Sequence, residues 1–341
     1  MKLTIDRVVG IVAVILIAIS PLYASDYFVT TTLTTTLYSG IIAASLIFLS
    51  AYGGMVSLAQ VALAGIAGFA YGNMVATGGS KGMNLGYSPW VGIVGGLVIA
   101  TAVGLLFGAV ASRSIGIYFL MITLVYSVIV YYFFGQVTQL SGFGGVQVHR
   151  LPGVMGDAAD HPFRLFYVTF GAAIFVYVLI RFILRTPFGL ALQGVRDEPV
   201  RMASLGYTVP LHRTLAFGFA AFVASIGGLL NAWSDGIIAP SSIDLNRTID
   251  ILVIAVLGGL LRIEGAWVGA FAFVLINNYI QDYLGSYGDR IRTVVGLIFL
   301  LIVLVAPAGL MGLWERFTQA IRRREGGSSG PSVDRAAEQG T

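Results

Sequence analysis

Residues 185–213 read RTPFGLALQGVRDEPVRMASLGYTVPLHR, a polar and basic interruption between two long apolar runs. The stretch carries the signals of two short helices. Thr186 is placed to cap a helix whose first turn holds Pro187, and Asp197 to cap a second with Pro199 in its first turn. Gly206 then stops the second helix and Pro210 prevents its restart. Arg185, Arg196, Arg201 and Arg213 lie within the stretch, and Arg181 lies just upstream. An ordered, basic, doubly helical loop between apolar runs implies that something docks on it.

Composition settles what the flanking runs are. The chain of 341 residues is 57% hydrophobic and 11% charged, with a mean hydropathy of +0.87. Such a chain is an all-α polytopic membrane protein, because a spanning helix needs about 20 apolar residues and a transmembrane barrel would alternate apolar and polar. The apolar runs predict about ten spans, near 8–24, 37–52, 57–76, 89–112, 116–136, 165–184, 214–234, 249–261, 265–283 and 291–308. The first resembles a signal peptide behind Lys2 and Arg7, but without an A-x-A site it reads as a span. Residues 1–315 then form one transmembrane domain, and 316–341 a basic, then polar and disordered tail. With the N-terminus inside, 14 of the 20 Lys and Arg residues fall on inside segments and six on outside ones. That bias predicts cytoplasmic termini and a cytoplasmic 185–213 loop.

Two places depart from regular spans. Ala51–Gln60 packs glycines and polar residues where a helix should continue, and Gly258–Gly265 closes a short eighth span. Each reads either as unwound backbone beside a substrate path or as a tight turn. The pairs Gly68/Gly72, Gly92/Gly96, Gly104/Gly108 and Gly265/Gly269 have the small-xxx-small spacing that lets helix backbones approach closely.

Enzyme chemistry is nearly absent. No cysteine is present, which excludes thiolate catalysis and thiolate metal sites. His149, His161 and His212 lack metal-ligand spacing, and Gly78–Gly82 lacks the phosphate-loop frame. No metal, cofactor or nucleic acid is expected. Asp250, just inside the eighth span, is the ionisable candidate for a path, against an alternative reading as a helix-start residue favoured by the dipole. Ser57, Gln60, Thr123, Asn231, Asn277 and Asn278 are neutral path candidates, with interhelical hydrogen bonding as the equal alternative.

Four motifs, in order, carry a family resemblance. They are Gly53-Gly54 through Ser57-Leu58-Ala59-Gln60 to Gly65 and Gly68; Gly116-Ile117-Tyr118-Phe119 through Thr123-Leu124; Thr186-Pro187-Phe188-Gly189 through Arg196-Asp197-Glu198, Ala203 and Leu205-Gly206; and Val256 through Gly258-Gly259 to Gly265, Gly269 and Ala270. Over about residues 30–315 the chain resembles the M-type (LivM) permease subunits of branched-chain amino acid ABC transporters. Leu190 departs from the family's usual Arg, Pro199 is unusual there, and Gly142–Gly145 matches its outer loop only loosely.

The resemblance implies an ABC importer permease architecture in a bacterial inner membrane. Its expected partners are a homologous H-type permease, two ATP-binding cassette subunits, and a periplasmic or lipid-anchored substrate-binding protein, all in membrane lipid. It also implies that a Glu-x-x-x-x-Ala-x-x-Gly loop couples to the ATPase, here Glu198, Ala203 and Gly206. Val200, Ala203 and Ser204 share one helical face for docking, and Arg196 and Arg201 face acidic groups of the ATPase. A secondary transporter or channel working without an ATPase is the alternative, and would need a midplane ionisable or cation site.

Overall fold

Apolar runs become helices in a membrane because hydrocarbon offers backbone N–H and C=O groups no partner outside the chain. The computed structural model describes residues 10, 12, 14–23, 25–76, 82–141, 144–148, 162–284, 296–297, 299–300, 304 and 309–312. Ten helices follow in order among them: α1 Thr34–Gly53, α2 Gln60–Val75, α3 Pro89–Ala111, α4 Ile117–Gln136, α5 Pro162–Arg185, α6 Pro187–Asp197, α7 Pro199–Ser204, α8 Val209–Asp235, α9 Leu245–Gly258 and α10 Gly265–Leu284. Eight of these fall on expected spans, and α6 and α7 are the two helices of the polar loop. Among the described residues one antiparallel strand pair forms, β1 Val146–Gln147 with β2 Ile237–Ile238, in register Val146 to Ile238.

A π-helical turn, Phe28–Leu33, extends α1 into a 26-residue span, Phe28–Gly53. The threonine-rich run there stays helical because its hydroxyls bond back to carbonyls: Thr34 Oγ1 donates to Val29 O at 3.1 Å and Thr36 Oγ1 to Thr32 O at 2.7 Å. Among the described residues five helices are long and apolar enough to cross a membrane. Their burial differs sharply. The apolar windows of the Phe28–Gly53 and α8 spans are 94% and 72% buried, whereas that of α3 is 22% buried. The first and α8 therefore form the centre, while α3, α4 and α5 turn apolar faces outward.

Close backbone approach builds that centre. Gly104 and Gly108 of α3 lie against Ala221 and Phe217 of α8, and Gly96 brings α3 within 2.9 Å, measured from an added Cβ, of the Ala67 carbonyl of α2. Gly228 of α8 sits so close to the Ala64 carbonyl that any Cβ would overlap it. In lipid this packing replaces the hydrophobic drive that assembles a soluble core.

Several boundaries differ from expectation. The seventh span begins at Val209 rather than 214, with Pro210 in its first turn, so this proline starts the next helix instead of delaying it. The eighth span is only the 14-residue α9. The turn at 258–265 is tight: Gly259 takes φ +108° and the backbones of Gly258 and Gly265 touch. It reads as a helical hairpin turn and not as unwound path. Of the first expected span, 14–19 is helical and leads to a 3-10 turn at Ser20–Leu22. The tenth span and the 316–341 tail fall almost wholly outside the described residues.

Gly228→Val should overpack the α8–α2 contact against an immovable carbonyl, at a cost of at least about 1–3 kcal/mol. Loss of the monodisperse peak on size exclusion in detergent, or a lowered melting temperature, is the expected outcome.

Candidate translocation core and coupling loop

After Gly53 the helix stops, with Gly54 in the left-handed region at φ +66° and its N–H bonded to Leu49 O. The next helix starts only at Gln60, and Gln60 accepts a hydrogen bond from Ser45 Oγ at 3.0 Å through Oε1. Ser45 lies eight residues before Gly53, roughly 12 Å along the α1 axis. Residues 54–59 therefore run back into the interior before α2 begins, and α2 has its N-terminus inside the bundle.

Hydroxyl groups satisfy the unwound backbone. Thr123 Oγ1 of α4 accepts from the Leu58 N–H at 3.1 Å and donates to Leu120 O at 2.9 Å. Ser57 Oγ accepts from the Ala59 N–H at 3.2 Å. Ser57, Gln60 and Thr123 are all essentially inaccessible, so the 57–60 end of the break is interior, while Gly54 at its start is exposed. Gln60 Nε2 has no hydrogen-bond partner among the described residues and is the free donor of this cluster.

One turn further along α4, Ser127 pairs with Thr248 near the start of α9, Oγ to Oγ1 at 3.1 Å. Ser127 is ten residues from the start of α4, roughly its midpoint at about 15 Å. Asp244 caps α9 by accepting from the Arg247 N–H at 2.9 Å, and Ile243 just before it fills the space that Gly65 of α2 leaves. Two short helices thus begin against one face of α4, one turn apart. Their N-terminal dipole ends and hydroxyls meet in the interior, where helix starts favour the negative end of a polar solute.

Three of the seven path candidates, Ser57, Gln60 and Thr123, are brought together here. The others lie on three further helices: Asn231 is half-buried on α8, Asp250 half-buried on α9, and Asn277 half-buried on α10. Next to it, Asn278 Nδ2 donates to Thr32 Oγ1 at 3.4 Å. Sequence reasoning missed Ser45, Ser127 and Thr248. The spacing of Thr123 and Ser127, four residues apart in a span, was the available signal for one of them.

In the loop, Thr186 Oγ1 caps α6 by accepting from the Gly189 N–H at 3.4 Å, as its position predicts. The α6 face of Gly189, Ala191, Leu192 and Val195 is buried. Asp197 does not cap α7; Glu198 holds that position without a side-chain bond. The Asp197 carboxylate instead accepts from Arg196 Nε at 2.7 Å, and that bond holds its pKa below the usual carboxylate range. Arg196 also donates through Nη1 to the Ala51 carbonyl, and its Cγ lies 2.7 Å from where a Cβ on Gly54 would stand. A basic side chain thus satisfies the last turn of α1 and clamps the loop to the break. Helix α7 ends in a Schellman motif, with Tyr207 N–H on Met202 O and Gly206 N–H on Ala203 O, Gly206 at φ +91°. No residue of α7 is buried. Val200 is 79% and Leu205 67% exposed, and Glu198, Arg201, Ala203 and Ser204 are exposed beside them.

A second clamp joins α5 to the 259–264 turn. Glu264 Oε1 accepts from Arg181 Nη2 and, at 2.9 Å, from Tyr177 Oη. Burial alone would raise the Glu264 pKa, but a hydrogen bond to its own backbone, the Arg181 charge and the Tyr177 hydroxyl together lower it.

The profile of the family described as branched-chain amino acid transport system / permease component matches residues 28–306. Curated relatives point the same way. The high-affinity branched-chain amino acid transport system permease protein LivM of Salmonella typhimurium is 25% identical over 159 residues, 47% of this chain and 36% of that protein. LivM of Escherichia coli is 23% identical over 282 residues, 74% of this chain and 65% of that protein. A probable branched-chain amino acid transport permease protein, LivH, of Methanocaldococcus jannaschii is 28% identical over 164 residues, 46% of this chain and 51% of that protein. The chain therefore spans between about a third and two thirds of the length of these relatives. No solved structure matches it.

Thr123→Val should leave the buried Leu58 N–H without an acceptor and cost about 1–3 kcal/mol, whereas Thr123→Ser should be mild. Thermal unfolding in detergent reads both. Glu264 has a depressed folded pKa, so its contribution is full above the ordinary glutamate pKa of about 4.3 and is lost as pH falls through the lower folded value. The melting-temperature deficit of Glu264→Gln should therefore hold from pH 7 to about 4.3 and close only below that.

Proposed function

The chain belongs to the branched-chain amino acid transport system permease family, and on that premise we propose that it forms one half of the membrane path of an ATP-driven importer. It is a transport permease, a multi-pass membrane protein of the inner membrane, and not an enzyme. In this reading it pairs with an H-type permease, two ATP-binding cassette subunits drive it, and a substrate-binding protein delivers branched-chain amino acids or related small polar solutes. The 185–213 loop and both termini face the cytoplasm.

One observation carries the reading. Val200 of α7 and Leu205 just after it are largely exposed among the described residues, on a loop that is otherwise capped, packed and clamped. An exposed apolar helix on a rigid mount suits insertion into a partner's cleft. The mount supports the mechanism too. ATP-driven closure would push α7, and Arg196 would pass the displacement to the Ala51–Gly54 end of α1. That end leads directly into residues 54–59 and the Ser57, Gln60 and Thr123 cluster, so loop movement alters the interior break. The solute would cross a weakly polar path of hydroxyls, amides and helix starts, with Asn231, Asp250 and Asn277 further along it. Few buried charges are needed, because the binding protein selects the solute.

Proteoliposomes containing the chain with its co-encoded subunits provide the test, by ATP-dependent uptake of radiolabelled leucine. Gly206→Pro and Glu198→Ala should abolish uptake. Arg196→Ala should lower it by about tenfold or more, equivalent to at least about 1.4 kcal/mol, while the ATPase still co-purifies. Uptake that persists without any ATPase subunit would instead establish the secondary-transporter reading.

A further inference from the structure

At the end of the bundle nearest the 185–213 loop lies a cavity of about 240 Å³. The break residues Gly54 and Val56, Ser114, the first turn of α4, and Arg213 of α8 line it. Arg213 is the fifth residue of α8, roughly 6 Å inside the helix end. It is 9% exposed, its Nε has no hydrogen-bond partner, and it joins no ion pair among the described residues. The buried Nε is left as a donor without an acceptor and the charge has no acidic partner among the described residues, so an anion entering the cavity would satisfy both.

The start of α4 borders the same space through Gly116, Ile117 and Phe119. Gly116, at φ +63° and ψ −129°, caps α4 with no side-chain bond, and no acidic residue occupies the first turn. Leu120 makes the first intrahelical bond, to Gly116 O at 3.3 Å. The N–H groups of Ile117, Tyr118 and Phe119 are therefore left without intrahelical acceptors, at the positive end of a 20-residue helix. Guanidinium and helix start together offer the kinds of donor that phosphate oxygens accept.

The mouth of the cavity indicates which anion. Ile115 and Ile117 line it and are about two thirds exposed. From there Tyr118, Met121, Val125, Ile129 and Tyr132 continue up α4 as exposed apolar residues three or four apart. They form one stripe along a helix of about 30 Å, the thickness of a bilayer core. A free anion or an amino acid carboxylate would use the donors and leave the stripe idle, whereas a phospholipid uses both. We propose that the Arg213–Gly116 cavity binds the phosphodiester headgroup of an anionic phospholipid, its acyl chains lying along the exposed face of α4. The bound lipid would neutralise Arg213 beside the break that the loop moves.

The test uses the full chain, delipidated in detergent, with melting followed against added ligand. Dioctanoyl phosphatidylglycerol should stabilise the wild type saturably, with dioctanoyl phosphatidylcholine much weaker. Arg213→Gln should raise the half-saturating concentration by about tenfold or more, and Arg213→Lys by less. Equal stabilisation by both lipids, or none by either, would overturn the proposal without reference to any variant. So would Arg213-dependent stabilisation by sodium phosphate or by leucine at similar concentrations, which would make this a simple anion or carboxylate site. Failure here leaves the transport reading standing, because uptake is measured separately.

Discussion

Hydrocarbon offers a backbone no hydrogen bonds, so every place where this chain leaves helical geometry must be satisfied from within. Most of the described structure follows from how it meets that demand. Thr123 accepts the Leu58 N–H, Ser57 the Ala59 N–H, and Asp244 the Arg247 N–H. Each bond holds an unwound segment or helix start that would otherwise be unstable in the membrane. At Thr123 and Ser57 this is done with uncharged hydroxyls, which leave buried polarity without a buried charge at that point.

The central helices and the 185–213 loop are separate structures joined at a few places. The Phe28–Gly53 span and α8 are held by small-residue contacts that tolerate no added atom, as at Gly228 and Gly104. The loop α6–α7 lies outside that centre and is fastened through Arg196 to Ala51 and Gly54, and through the buried face of α6. Because the fastening point is also the beginning of the interior break, a loop displacement has a short physical route inward. The Arg181–Glu264 clamp does the corresponding job for the turn between α9 and α10.

Glycine does three jobs here that composition alone would merge. At Gly104, Gly108 and Gly228 it admits a neighbouring helix. At Gly54, Gly206 and Gly259 it takes positive φ and ends a helix. At Gly116 an added Cβ would meet nothing within 4 Å, yet φ is +63°, so the backbone conformation and not space demands it. The small-xxx-small spacing announced the first role at Gly104 and Gly108 but not at Gly228, and position after a predicted helix announced the second at Gly206.

What the sequence determined by itself is what depends on neighbours along the chain. Runs of apolar residues gave the spans, Thr186 and Pro187 gave the start of α6, and Gly206 gave the end of α7. The membrane class and the family pattern were legible for the same reason. Local reading failed where two near residues competed: Asp197 looked like a cap, but Arg196 took its carboxylate. The tertiary structure alone decided that Ser57, Gln60 and Thr123 form one cluster. It alone brought Thr248 to Ser127 across 121 residues, and Arg196 to Ala51 across 145. A hydroxyl or guanidinium does not encode its partner in its own neighbourhood. The partner is set by which helices pack together, and that is a property of the whole bundle.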